Sequence, residues 1–277
     1  MFPIASLFAN LPPLKIVDVG AAAGSDPPAY ARLLQGLSCD VVGFEPDMPA
    51  FERLIAAAKA GHSYLPYVIG DGSRHAFYHC SAPHCSSLFE PDTALAARFH
   101  NLAELLEVVD IREVETRRLD DIEETEGVDF LKLDVQGGEL LVLQGAEARL
   151  KQTLVVHTEV EFVPLYKNQP LFADIDMFLR ARGFSFHTLV PSGRSFKPLK
   201  VNDADTGWIR QILWADAVYV RNFMEFDRQE PLALLKLAAI LHQNYQSLDL
   251  AAHALAAYDR KTGSGVQTAY LRRLQAG

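Results

Sequence analysis

Apolar residues fall into two rhythms along this chain, and the rhythms alternate. The run "KIVDVGAAAG" sets Ile16, Val17 and Val19 in a stretch apolar on both sides, which predicts a strand buried on both faces. Its small residues 20–24 predict a tight turn where the backbone comes close to a ligand. "DPPAYARLLQGL" then reads as a helix with Pro near its start and Gly36 near its end, followed by a strand in "DVVGFEP". "DMPAFERLIAAAKAG", opened by Asp47 and closed by Gly61, predicts a second helix, and "SYLPYVIG" a third strand. Alternating units of this size imply a parallel sheet covered by helices.

The pattern is weaker over residues 71–128: "HAFYHC" reads as a short strand, "DTALAARFHNLAELL" as a helix and "EVVDIREVETRRL" as an extended segment. Order returns with strand "DFLKLDV", helix "GELLVLQGAEARLK", strand "LVVHTEVEF", helix "LFADIDMFLRARG", and strands "FSFHTLV" and "QILWADAVYV". The expectation is an α/β fold of seven strands with an antiparallel pair at the end. From Glu225 the character changes: Leu234, Ala238, Leu241 and Tyr245, then Leu248, Ala251, Leu255 and Tyr258, form apolar stripes at helical spacing. Residues 1–222 are therefore read as the main domain. Residues 223–277 are read as an antiparallel helical hairpin that docks on that domain or makes a homo-oligomer contact.

Composition narrows the function classes. With 277 residues, 49% hydrophobic and 22% charged, the chain can bury a full core. A formal charge of −9 argues against nucleic acid, whose binding depends on clustered Lys and Arg. Three cysteines give no disulfide framework, and no apolar run is long enough to span a bilayer, so a cytoplasmic location is expected.

The glycine turn decides the ligand class. A dinucleotide fingerprint needs G-x-G-x-x-G, and here Ala22 and Ser25 stand where the second and third glycines belong. A nucleoside ligand without a pyrophosphate needs less clearance, which points to S-adenosylmethionine (SAM). Glu45, 21 residues past Gly24, is placed for the ribose hydroxyls and Asp71 for the adenine amino group. Asp18, Gly20, Ala21, Gly24 and Pro46 complete the cofactor set.

A second constellation puts charge inside an apolar strand. Period-two alternation aligns Lys132 with Asp134 on one strand and His157 with Glu159 and Glu161 on the next. If the strands are neighbours, these groups converge, as a core-adjacent active site requires. Asp134 and His157 are the candidate bases, with Lys132 and Glu159 completing the catalytic set. Alternatively Asp134, His157 and Glu159 hold Mg²⁺ or Mn²⁺ against a substrate hydroxyl. The closely spaced His79, Cys80, His84 and Cys85 do not have zinc-ligand spacing. Arg194, Lys197 and Lys200 form a basic loop that an anionic substrate would meet.

The runs "VDVGAAAG", "GFEPD", "SSLF", "RRLDDI", "FLKLDVQGGELLVLQGA" and "HTEVEF", in this order, resemble the FkbM-type SAM-dependent methyltransferases over roughly residues 14–190. The resemblance implies a Rossmann-like, seven-stranded class I methyltransferase sheet and O-methylation of a small molecule or carbohydrate acceptor. That family usually has Glu where this chain has Gln136. The "SSL" match places Ser86 and Ser87, with Glu139, at the acceptor. Two other readings stand beside it: a SAM- or nucleotide-binding module without catalysis, and a nicotinamide-dependent oxidoreductase.

Overall fold

A computed structural model of the chain describes residues 2–8, 11–21, 27–199 and 210–276. Its strands in chain order are β1 (Leu14–Val19), β2 (Cys39–Phe44), β3 (His62–Leu65), β4 (Arg74–Cys80), β5 (Val108–Glu115), β6 (Phe130–Leu133), β7 (Val155–Glu161), β8 (Phe184–Ser192) and β9 (Trp214–Arg221). Seven of them form one sheet in the order β3-β2-β1-β6-β7-β9-β8. All neighbours are parallel except β9, which runs antiparallel to both β7 and β8. This is the Rossmann-like sheet that the sequence implies. Strand order reverses between β1 and β6, so the carboxyl ends of these two strands flank the crevice where such sheets bind ligands.

β4 and β5 pair only with each other, as a separate two-stranded sheet. The helices are α1 (Ala31–Gly36), α2 (Met48–Ala56), α3 (Thr93–Ala96), α4 (Leu102–Leu105), α5 (Glu139–Gln144), α6 (Glu147–Leu150), α7 (Phe172–Arg180), α8 (Pro231–Ile240), α9 (Leu248–Thr262) and α10 (Val266–Ala276). Several boundaries differ from the sequence reading. The third strand stops before Pro66, which has no N–H to give a ladder. The helix expected over 92–106 is two short turns, α3 and α4, with Asn101 in the left-handed region (φ 61°) between them. The helix expected over 138–151 breaks at Gly145, where a Cβ would lie 2.1 Å from the Gly70 carbonyl oxygen.

The sheet is buried on both faces. One side packs Val17, Leu131, Leu133, Val156 and Ala217 against Val142, Leu143, Ile175 and Leu179 of α5 and α7. The other side packs Leu14, Ile16, Phe130, Val155 and Val218 against Leu33 of α1 and, mostly, the tail: Leu234, Leu237, Ala238, Ala251 and Leu255. The tail is three helices rather than a hairpin, because residues 266–276 add α10. Its apolar stripes are consumed by this chain's own sheet. Lys236 of α8 also reaches Asp129 at the start of β6, at 2.6 Å, with both side chains largely buried. Among the described residues, no helix is long and apolar enough to cross a membrane.

Candidate functional site

The turn after β1 is held from below. Lys132 Nζ donates to the Gly20 carbonyl at 2.7 Å and lies 3.0 Å from Asp18 Oδ1, while the Tyr30 hydroxyl donates to Asp18 Oδ2 at 2.8 Å. Burial lifts Asp18 above the ordinary carboxylate range, against the opposing pull of Lys132 and Tyr30. Burial alone would lower Lys132, but Asp18 and Asp134 outweigh it and keep the ammonium charged. Asp18, expected to touch the cofactor, instead supports the turn, since both its oxygens face protein groups.

Gly20 has φ 79°, and a Cβ there would come within 2.0 Å of the Asp134 carbonyl oxygen. The turn thus crosses the end of β6 at backbone distance. The Gly20 and Ala21 amides both donate to the Phe44 carbonyl, which sets the turn beside Glu45 and Pro46 at the end of β2. Glu45 is buried, and its Oε1 accepts from the Asp47 amide at 2.8 Å. Gly24 lies outside the described residues, as does Lys200. Asp71 accepts from the Ser73 amide and meets His75 Nε2 at 2.9 Å. Burial would raise its pKa, but the hydrogen bonds from His75 and Ser73 prevail and lower it. Asp71 is thus tied to the base of β4.

The second constellation assembles. β6 and β7 are neighbours with Lys132 opposite His157, and Asp18 of β1 is opposite Lys132 on the other side. Beyond Lys132, Asp134 lies at the mouth with its side chain 43% exposed and Oδ2 3.6 Å from Lys132 Nζ. Gln136, at φ 57°, sends its amide to Asp134 Oδ1 (3.0 Å) and Glu159 Oε2 (2.7 Å), and the Tyr166 hydroxyl donates to its Oε1 at 3.0 Å. Asp216 of β9 stands opposite Glu159 in register. Burial, with Asp134 and Glu161 nearby, pushes Glu159 well above the usual carboxylate range. Sequence reasoning noted Gln136 only as a departure from the family's usual Glu, and missed Tyr166 and Asp216 as members of this group. A polar residue in the block after β6 was the only available signal.

Three expectations are corrected. Ser87 cannot line an acceptor pocket: it is fully buried, donating to the Gln136 carbonyl at 2.6 Å and accepting from the Phe89 amide. Ser86 accepts from the Cys80 amide. Glu139 is also fully buried, and its Oε1 accepts from the Val135 amide at 2.7 Å, so it braces the loop before α5. Burial raises its pKa to about 7. The proposed metal set does not form either: among the described residues no three His, Cys, Asp or Glu are grouped to hold an ion. His157 turns Nδ1 to the Tyr245 hydroxyl (3.0 Å) and Nε2 toward Asp216 (3.7 Å), while Glu159 is taken by Gln136.

Arg194 lies over the Trp214 ring at 5.6 Å, and Lys197 is 3.9 Å from Glu104. Two surface clefts, of about 450 and 530 Å³, are lined by other residues than this cluster, one by Phe8 and Gly36 and the other by Glu90 and Val108.

A family description, the Methyltransferase FkbM domain, matches residues 18–186. No curated protein matches the chain. Among solved structures it is similar to the methyltransferase FkbM from Methylobacillus flagellatus KT, with 15% identity over 79% of this chain and 48% of that one, at a TM-score of 0.40. It is also similar to magnesium protoporphyrin IX methyltransferase from Synechocystis PCC 6803 with bound SAM, with 14% identity over 79% and 76%, at a TM-score of 0.36. A third is precorrin-6y C5,15-methyltransferase from Geobacter metallireducens GS-15, with 12% identity over 79% and 86%, at a TM-score of 0.37.

Proposed function

Since this chain belongs to the FkbM methyltransferase family and is a SAM-dependent methyltransferase, we propose that it methylates a hydroxyl oxygen of a small molecule or sugar, with Asp134 as the base. The observation that carries this reading is the setting of Asp134. Its carboxylate is half-exposed at the crevice while one oxygen is held by Gln136 and the other faces Lys132.

The residues present fit the cofactor. The Gly20 turn has no side chain where one would collide with the Asp134 backbone, and Glu45 lies at the adjoining strand end for the ribose hydroxyls. When bound, SAM supplies a methyl group activated by a sulfonium sulfur. The chain's own part is to hold the acceptor oxygen close and in line, and to remove its proton. Asp134 accepts that proton on an oxygen at the mouth. Lys132 lies 3.6 Å from one oxygen of Asp134, and Gln136 fixes the carboxylate's orientation through the other. Asp134 at the mouth and the half-exposed Asp216, opposite Glu159 in register, favour a neutral hydroxylated acceptor over an anionic one. The chain's net negative charge supports the same choice, and a cytoplasmic enzyme is the setting proposed.

The test is a panel of hydroxylated acceptors with labelled SAM. Asp134→Asn should leave SAM affinity within about twofold and lower the methylation rate by ~10²-fold or more. Full activity in that variant would remove Asp134 from the role of base. Transfer to amines alone would overturn O-methylation.

A further inference from the structure

The family match ends at residue 186, yet the tail reaches into the strand-end cluster. Between α8 and α9 the backbone makes a π-helical turn, Leu241–Tyr245, closed by Gln246 in the left-handed region. Such wide turns are rare and recur at functional sites. Three consecutive side chains leave this one toward the methyltransferase domain. Gln243 Nε2 donates to the Arg32 carbonyl at 3.1 Å, and Asn244 Nδ2 donates to the Ala29 carbonyl at 2.9 Å. Both acceptors belong to the segment that follows the cofactor turn. Gly36 leaves room for this docking, since a Cβ there would lie 2.5 Å from the Gln243 amide.

The third residue, Tyr245, shares a 3.0 Å hydrogen bond with His157 Nδ1. Its ring lies nearly parallel to His157 and to Phe130, with centroids 6.2 and 6.4 Å away. The other groups around the imidazole are Asp216 of β9, 3.7 Å from Nε2, and Lys132, opposite in register on β6. His187 of β8 packs edge-on against Tyr245. A Tyr245 hydroxyl that donates to Nδ1 leaves the imidazole proton on Nε2, the nitrogen that faces Asp216.

We propose that the tail is a working part of the methyltransferase site, in which Tyr245 positions the His157 ring and Asn244 positions the backbone leading out of the cofactor turn. This rests on reading the strand-end cluster as the acceptor side. Neither residue is a catalytic residue; each acts through another group.

Two variants of the full chain test it. Tyr245→Phe keeps the stacked ring and removes only the hydroxyl. It should change the ring-nitrogen NMR signature of His157, lower kcat roughly tenfold and leave the Kd for SAM unchanged. Asn244→Ala should raise the Kd for SAM about fivefold, the usual effect of losing one hydrogen bond, as read by calorimetry. An unchanged His157 signature overturns the assignment of Tyr245, and an unchanged Kd overturns that of Asn244. If Tyr245→Phe does not fold, the parent chain decides for Tyr245: His157 ring-nitrogen shifts of one fixed tautomer uphold the assignment, and shifts averaged between the two tautomers overturn it. A chain that methylates no hydroxyl but shows both changes would refute the catalytic reading and uphold the tail's role, because neither readout needs turnover.

Discussion

Glu139 is a carboxylate with no exposure to water, one oxygen on the Val135 amide and the other buried without a hydrogen-bond partner among the described residues. Burial raises its pKa from 4.5 to about 7, so between these values the folded chain holds a proton that the unfolded chain has lost. Stability from this group is complete below about pH 4.5 and is lost as pH rises through 7. Glu139→Gln, which keeps an acceptor for Val135, should flatten that dependence and stabilise the protein at pH 8 by on the order of 1 to 3 kcal/mol in urea titrations. At the cofactor turn, Glu45→Ala should weaken SAM binding by ~1.5 to 3 kcal/mol, the worth of a hydrogen bond to a charged group. Calorimetry giving equal affinities would take the ribose role from Glu45. Period-two spacing was enough to put Lys132, Asp134, His157 and Glu159 on one face, because pleating alone fixes that relation. It could not find Tyr30, Tyr166 or Tyr245, which reach the cluster from loops and helices whose positions depend on tertiary packing. For the same reason it could not tell that Ser87 and Glu139 are spent on bracing the loop.

The elements legible from sequence were those with long, regular patterns. β1, β2, β6, β7 and α7 stand where the apolar rhythm put them, since burial on one or both faces dictates that rhythm, while α2 opens after Asp47 as expected but ends at Ala56, short of Gly61. The breaks were not legible, because their causes are distant in sequence. Gly145 looks like an ordinary residue within a helix until the Gly70 carbonyl is brought against it by the crossing after β3. Gly145→Ala should therefore destabilise the fold by about 1 to 3 kcal/mol, the cost of overpacking, although alanine has the higher helix propensity. A thermal melt in which the variant is more stable than the parent would show that the crossing yields easily. The link between β6 and α8 is the Asp129–Lys236 pair, whose side chains are only 9% and 13% exposed. Removing one member of a buried pair leaves the other uncompensated, so Lys236→Met should cost about 3 kcal/mol, read from the urea midpoint. Asp129 retains the Lys15 amide as a donor, which keeps the loss at the lower end of the usual range.

For the whole molecule, the least legible fact was what the tail covers. Its stripes announced helices with something to bury, but a stripe does not name its partner, and a docked extension and an oligomer contact read alike. In the structure the partner is the sheet face built from Leu14, Ile16, Phe130, Val155 and Val218. A chain ending at Asn222 should therefore aggregate or melt without cooperativity, because that face would be left open to water. A soluble, cooperatively melting shortened chain would show that the face can close without α8, α9 and α10. The same cover has a consequence for synthesis. The ribosome makes the strands before α8 to α10, so every nascent chain passes through a stage at which the strands exist and their cover does not. Chains stalled before α8 should be readily cut by protease and held by chaperones, while full-length chains should resist both. The hazard in this protein's production thus falls between the emergence of the strands and that of α8 to α10.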